Sequence, residues 1–149
     1  MKIEDINFYR ENGWIIIKNV FKQSYIKKIK SELLKRTKNK EKFFYYETIK
    51  KKLRLRRIEK VTDFSKNAKK LICSKKTMKL INNLEEKKYT LFKDKLNFKF
   101  PGGKGYLPHI DGHFYWKDQN KKYQNGWRKY SSNFVNLVLP LETSNIKNG

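Results

Sequence analysis

Apolar and polar positions follow two different rhythms along this chain, and each rhythm predicts an element. From Gln23 to Arg36, apolar residues fall at Tyr25, Ile26, Ile29, Leu33 and Leu34. That spacing predicts an amphipathic helix with its lysines on the solvated side. Ile3 to Arg10 predicts a shorter helix, ended by Asn12-Gly13. Ser65 to Cys73 and Lys75 to Leu84 read as two more, divided near Ser74, with Ser65 marking the start of one and Ser74 or Lys75 that of the other. Serine is a preferred N-cap, because its hydroxyl accepts from an orphan N–H of the first turn. Strand rhythm appears elsewhere. Trp14-Ile15-Ile16-Ile17 is a compact β-rich run, and Phe43 to Ile49 and Leu53 to Val61 also read as strands. Tyr89 to Phe100, much of it alternating apolar residues with Lys, Asp and Asn, reads as a strand broken by Pro101-Gly102-Gly103. Further strands are expected from Tyr106 to His113 and from Phe134 to Leu139, the latter stopped by Pro140. Lys38 to Lys42 reads as a polar, mobile connection.

Helices come first and strands later, joined by turns. This order predicts an α+β fold, with helices packed on a β-sandwich or jelly roll. No repeat or linker divides the sequence, so residues 1–149 are expected to form one domain.

Composition excludes two classes. Apolar residues make up 38% of the chain and aromatics 15%, too much for a disordered segment. No run approaches the ~18 apolar residues of a membrane span, and the start lacks a signal-peptide layout. The expectation is a cytoplasmic protein. Cys73 is the one cysteine, so no intrachain disulfide can form, and it is expected to serve as a packing residue. The charge is +23, from 37 basic and 14 acidic residues. Two readings account for it: a lysine-rich compositional bias, or a selected role in binding nucleic acid or another polyanion. The densest cluster runs from Lys50 to Arg57. Either reading predicts nonspecific, salt-sensitive binding to nucleic acid in vitro.

The chemistry is concentrated at Gly105-Tyr106-Leu107-Pro108-His109-Ile110-Asp111. On a strand, residues two apart face the same side, so His109 and Asp111 could reach one metal ion. An imidazole and a carboxylate are two of the three ligands in the facial triad of non-haem Fe(II) oxygenases. His113 lies two residues further on, but three ligands in a row along one strand span too far to cap one face. It is placed at the site rim. Gly102, Gly103 and Gly105 are read as permitting a tight turn and close backbone approach. They form no phosphate loop, since no G-x-x-x-x-G-K-[ST] pattern is present.

The region from Leu96 to Asp111 resembles the metal-binding region of the phytanoyl-CoA dioxygenase family. Phe8 to Phe21 is similar to that family's opening strand. Phe134 to Glu142, then Asn148-Gly149, resembles the strand and turn before its C-terminal half. The resemblance implies a double-stranded β-helix (jelly roll, cupin-like), incomplete on its C-terminal side. It also implies an Fe(II)- and 2-oxoglutarate-dependent dioxygenase that hydroxylates a small organic substrate. In that pattern His109, Asp111 and a distal histidine hold Fe(II). An arginine near the distal histidine pairs with the far carboxylate of 2-oxoglutarate. Asn97 and Lys99 are the candidates for contacting the cosubstrate, with Asn97 the better match; an exposed lysine is the plainer account of Lys99. Phe114, Tyr115 and Trp116 are candidates for a substrate-pocket wall, with ordinary packing under a loop as the alternative.

The sequence ends at Gly149, before the family pattern supplies the distal histidine and the arginine. The expectation is a truncated or split version of a longer protein, with a separate chain as one source of the missing half. The competing readings are a basic nucleic-acid-binding protein and an inactive oxygenase remnant. Salt dependence and the effect of His109→Ala distinguish them.

Overall fold

A computed structural model of the chain describes residues 2–37, 42–105 and 107–146. These form two compact units, Met1–Gly103 with Pro140–Gly149, and Lys104–Leu139. The larger unit carries helices α1 (Ile3–Asn12), α2 (Gln23–Arg36), α3 (Val61–Phe64), α4 (Lys66–Ile72) and α5 (Lys75–Glu85). It also carries strands β1 (Phe44–Ile49), β2 (Lys52–Glu59) and β3 (Lys95–Asn97), an antiparallel sheet in the order β1-β2-β3. Helices with an antiparallel sheet make this the expected α+β class.

Each helix end has a local cause. Asp5 accepts from the Lys2 N–H at 2.8 Å, and Gly13 closes α1 in the left-handed region. Ser65 and Ser74 cap α4 and α5, their hydroxyls accepting from Ala68 and Thr77. The core of this unit joins Ile29 and Leu33 of α2 to Phe44, Leu55 and Ile58 of the sheet and to Val61, Ala68, Leu71 and Leu84. Full burial of one such side chain contributes about 1.5–3 kcal/mol. A bulge between Tyr45 and Tyr46 shifts the β1–β2 register. The turn Pro101-Gly102 is closed by the Gly103 N–H on the Phe100 carbonyl, with Gly102 at φ +80°. This is the glycine-dependent turn that the sequence implied.

Several expected strands are shorter or absent. The Leu53–Val61 run ends at Glu59, because Lys60 turns into the left-handed region and Val61 opens α3. The Tyr89–Phe100 run pairs only at Lys95–Asn97. It is intercepted at Asp94, whose carboxylate takes the Thr62 N–H and hydroxyl while its carbonyl takes the Lys60 N–H. Trp14–Ile17 and Phe134–Leu139 form no strand: Ile16 is 71% exposed and Val138 81%. β-Branched composition makes a strand only where a partner ladder exists, and among the described residues neither run has one. Within the first of these runs, the Trp14 ring meets Phe8 edge-on at 5.2 Å. The expected connection at Lys38–Lys42 falls largely outside the described residues, as does the turn at Asn148-Gly149.

The smaller unit is built on a hairpin, β4 (Tyr115–Lys117) against β5 (Tyr123–Asn125). Asp118 organises its loop, accepting from the N–H groups of Asn120 and Lys122 and from the Gln124 amide. Burial works to raise the Asp118 pKa, but those donors and the nearby Lys129 outweigh it and hold the carboxyl below its usual range. Gly126, directly after β5, is the only buried residue of this unit among those described. No described helix is long and apolar enough to cross a membrane.

Candidate metal site

His109 and Asp111 do not lie on a strand. The segment expected to extend from Tyr106 to His113 is irregular, and Tyr106 itself lies outside the described residues. The chain reverses at Ile110-Asp111-Gly112-His113, where the His113 N–H reaches the Ile110 carbonyl at 3.3 Å. Gly112 holds φ +76°, the left-handed value that the third residue of such a turn needs. Asp111 occupies the turn and His109 leads into it. The two side chains meet because the backbone turns, and strand alternation plays no part.

The resulting geometry suits a metal. His109 Nε2 stands 3.4 Å from Asp111 Oδ1. Two ligand atoms about 2.1 Å from one ion are about 3.0 Å apart at octahedral angles and about 3.4 Å at tetrahedral ones. His109 Nδ1 lies 2.7 Å from the Leu107 carbonyl, which can only accept, so Nδ1 carries the proton. Nε2 is then the nitrogen that faces the carboxylate and is left to ligate, the arrangement usual in metal-ligating histidines. Asp111 Oδ2 accepts from the Asn136 amide at 3.3 Å, which leaves Oδ1 as the oxygen facing the histidine. Both side chains are open to solvent, 56% and 36% exposed. The donor set thus fits two positions of a three-ligand site. Among the described residues no third His, Cys, Asp or Glu joins them.

Asn136 was not singled out by the sequence; it sits in the Phe134–Leu139 run, where apolar neighbours dominate the pattern. Asn97 and Lys99 belong to the larger unit, Asn97 on β3 opposite Arg57 and Lys99 just beyond it, both exposed. Phe114, Tyr115 and Trp116 belong to the same unit as His109 but do not share a face. Trp116 is half-buried, its Nε1 donating to the Gly126 carbonyl at 3.0 Å and its ring lying under Lys129. Tyr115 is 68% exposed, as β alternation requires of its neighbour. His113 is exposed and contributes its backbone N–H to the ligand turn. Cys73, expected to be packed, is exposed beyond the end of α4.

The basic cluster is the β1–β2 hairpin, and its arginines are engaged within their own unit. Arg54 stacks over Phe100, and Arg57 stacks over Tyr45 and pairs with Glu59 at 3.2 Å. A cleft of about 310 Å³ opens beside Tyr9, Arg10, Gly13, Leu84 and Glu85. It includes none of the predicted site residues and holds no imidazole.

Fold and site together define an α+β chain in which an imidazole and a carboxylate face one another at 3.4 Å. The family model for phytanoyl-CoA dioxygenase (PhyH) matches residues 9–149, and the chain belongs to that family. It is similar to "Dioxygenase lolE1" of Epichloe uncinata, at 26% identity over 98% of this chain and 55% of the relative. It is also similar to "2-aminoethylphosphonate dioxygenase" of Uncultured bacterium HF130_AEPn_1, at 28% identity over 62% of this chain and 31% of the relative. The chain therefore spans about half the length of the first relative and about a third of the second. No solved structure matches it. Family membership supports a dioxygenase, an oxidoreductase at family level.

Proposed function

We propose that this chain carries the His-x-Asp part of an Fe(II)- and 2-oxoglutarate-dependent dioxygenase that hydroxylates a small organic substrate. The observation that carries this reading is the 3.4 Å approach of His109 Nε2 to Asp111 Oδ1, with Nδ1 fixed on the Leu107 carbonyl. Iron and 2-oxoglutarate, when bound, supply the activation of dioxygen and the oxidation of a C–H bond. The protein's part is to hold and orient. His109 ligates through Nε2 and Asp111 through Oδ1. The Leu107 carbonyl fixes the tautomer, and the Asn136 amide keeps the carboxylate from rotating. The third protein ligand and the arginine for 2-oxoglutarate are assigned to residues outside the described part of this chain, on a further segment or a separate chain. It is the family resemblance, and no geometry between the two units, that assigns Asn97, a hydrogen-bonding amide, and Lys99, a positive charge, to 2-oxoglutarate. Phe114, Tyr115 and Trp116 are assigned to the substrate side, with Tyr115 offering the open aromatic face. The jelly-roll framework and a cytoplasmic location belong to the same proposal.

Anaerobic Fe(II) titration with and without 2-oxoglutarate tests it. A weak visible charge-transfer band that appears with both and is lost in His109→Ala is the expected result. Fe(II) binding that is indifferent to His109→Ala and Asp111→Ala would sink the proposal.

A further inference from the structure

The turn that brings His109 and Asp111 together does not stand free. Gly112 lies against Gly126, and the approach is so close that a Cβ built on Gly126 would stand 1.5 Å from the Gly112 carbonyl oxygen and 2.7 Å from its carbon. No rotamer or small adjustment relieves such an overlap, because the obstacle is backbone. Gly126 also has φ +49°, a region L side chains rarely adopt. Both its polar groups are fixed: its N–H donates to the Phe114 carbonyl and its own carbonyl accepts from Trp116 Nε1. On the other side of the contact, the Trp127 indole covers Gly112. A Cβ there would meet Cε3 at 3.0 Å and Cδ2 at 3.1 Å. Trp127 is in turn backed by Phe134, at 5.4 Å between ring centroids. The ligand turn is therefore pressed onto the end of the β4–β5 hairpin through two facing glycines. The one buried residue among those described in the unit is the hairpin's half of that contact.

We propose that Gly126 and Gly112 are the positioning residues of the His109–Asp111 pair: their side-chain-free contact sets where the ligand turn sits and hence the separation of Nε2 and Oδ1. This rests on the metal reading above. A methyl group at 126 displaces the turn as a body, and Asp111 moves because it is the residue before Gly112. Supporting groups that orient metal ligands change affinity by about 10–100-fold when removed.

The test uses the full chain and Co(II) alone, followed by its visible absorption, on the wild type and on Gly126→Ala, Gly105→Ala and His109→Ala. Gly105 is the control, since a Cβ there meets nothing within 4 Å. The expected result is wild-type affinity for Gly105→Ala, loss of binding for His109→Ala, and at least about tenfold weaker binding for Gly126→Ala. A second readout needs no metal. In Gly126→Ala, the ring-current shift of Trp127 on Gly112 should vanish while the amides of Asp118 and Lys121 in the hairpin loop keep their exchange protection. Binding within twofold of wild type in Gly126→Ala, with His109→Ala inactive, overturns the positioning role and leaves the metal reading standing. Absence of His109-dependent binding in the wild type overturns both. If Gly126→Ala loses the hairpin itself, Gly112→Ala, whose Cβ has the Trp127 ring and no backbone as its nearest obstacle, decides by the same criteria.

Discussion

Ser65→Ala offers a quantitative check on how the larger unit is held together. Ser65 is fully buried, and its hydroxyl works twice. It accepts from the Ala68 N–H at 3.1 Å as the cap of α4, and it donates to Glu32 Oε1 on α2 at 2.7 Å. The other Glu32 oxygen takes the Asn67 amide. Loss of a serine cap costs about 1 kcal/mol, and a hydrogen bond to a charged group about 1.5–3 kcal/mol. Glu32 is half-exposed, so the lower end applies, and the sum is about 2–3 kcal/mol. Glu32→Ala should cost about 2 kcal/mol, since it strands the buried hydroxyl. Because the two share one bond, the double variant should cost at least about 0.5–1 kcal/mol less than the sum of the single ones. The pH dependence has a definite sign. The Asn67 and Ser65 bonds hold the Glu32 carboxyl below its usual range, against burial, with Arg36 and Lys28 adding to them. A depressed folded pKa contributes stability that is present above the unfolded value of about 4.5 and lost as pH falls through the folded one. The gap between wild type and Ser65→Ala should narrow in acid. Urea unfolding followed by helical circular dichroism reads this unit, because every described helix lies in it. A Ser65→Ala effect under about 0.5 kcal/mol, strict additivity, or a gap unchanged by acid would each refute the reasoning.

Three other outcomes follow from single sites. Ile58 has no exposed surface and pairs with Phe44 on one side and Leu96 on the other, so Ile58→Ala should cost about 2–5 kcal/mol in the same unfolding assay. The Tyr9 hydroxyl donates to Glu85 at 2.7 Å, and burial, that bond and the Glu85 charge push its pKa up to about 12. The bond's stabilisation is complete below the unfolded value near 10 and lost as pH rises toward 12, and Tyr9→Phe should remove a tyrosine titrating at about 12 from an ultraviolet titration. Asp118→Asn should speed amide exchange at Asn120 and Lys122 while leaving the Ser65 region untouched; in the wild type the same loosening should appear only as pH falls through the lowered Asp118 value.

Much of the larger unit was legible because its signals are local. The helix bounds Gln23–Arg36 follow from apolar spacing alone, and Ser65 and Ser74 cap the helices they were expected to start. Strands were over-read because a strand depends on a partner that local sequence does not name. Tyr89–Phe100 alternates over much of its length, yet Asp94 leaves the ladder to serve Thr62. At the site, the chemistry was legible and the geometry was not. His109 and Asp111 were paired on the assumption of a strand, whereas a turn brings them together. Asp111-Gly112 and Asn125-Gly126 are both turn dipeptides, and that signal would have placed the ligand pair correctly. The contact between the two glycines had no signal, since it joins residues far apart in sequence.

The turn also explains how so exposed a pair can be ordered. A strand site takes its geometry from a sheet, and its ligands hold only as well as the ladder does. Here the orienting groups lie within a short stretch of chain: the Leu107 carbonyl before the histidine, the turn bond between Ile110 and His113, and the Gly112–Gly126 contact behind it. Asn136 reaches in from a later segment. Among the described residues the unit has no buried apolar side chain to order it, so its hydrogen bonds and its glycine contact do so. Such an arrangement is cheap to displace while no ion holds the pair, and binding an ion would add its free energy directly to the order of the turn. The ligand pair and the hairpin that supports it are then best regarded as one cooperative element, in which a methyl group at residue 126 and a missing imidazole at residue 109 disturb the same equilibrium from opposite ends.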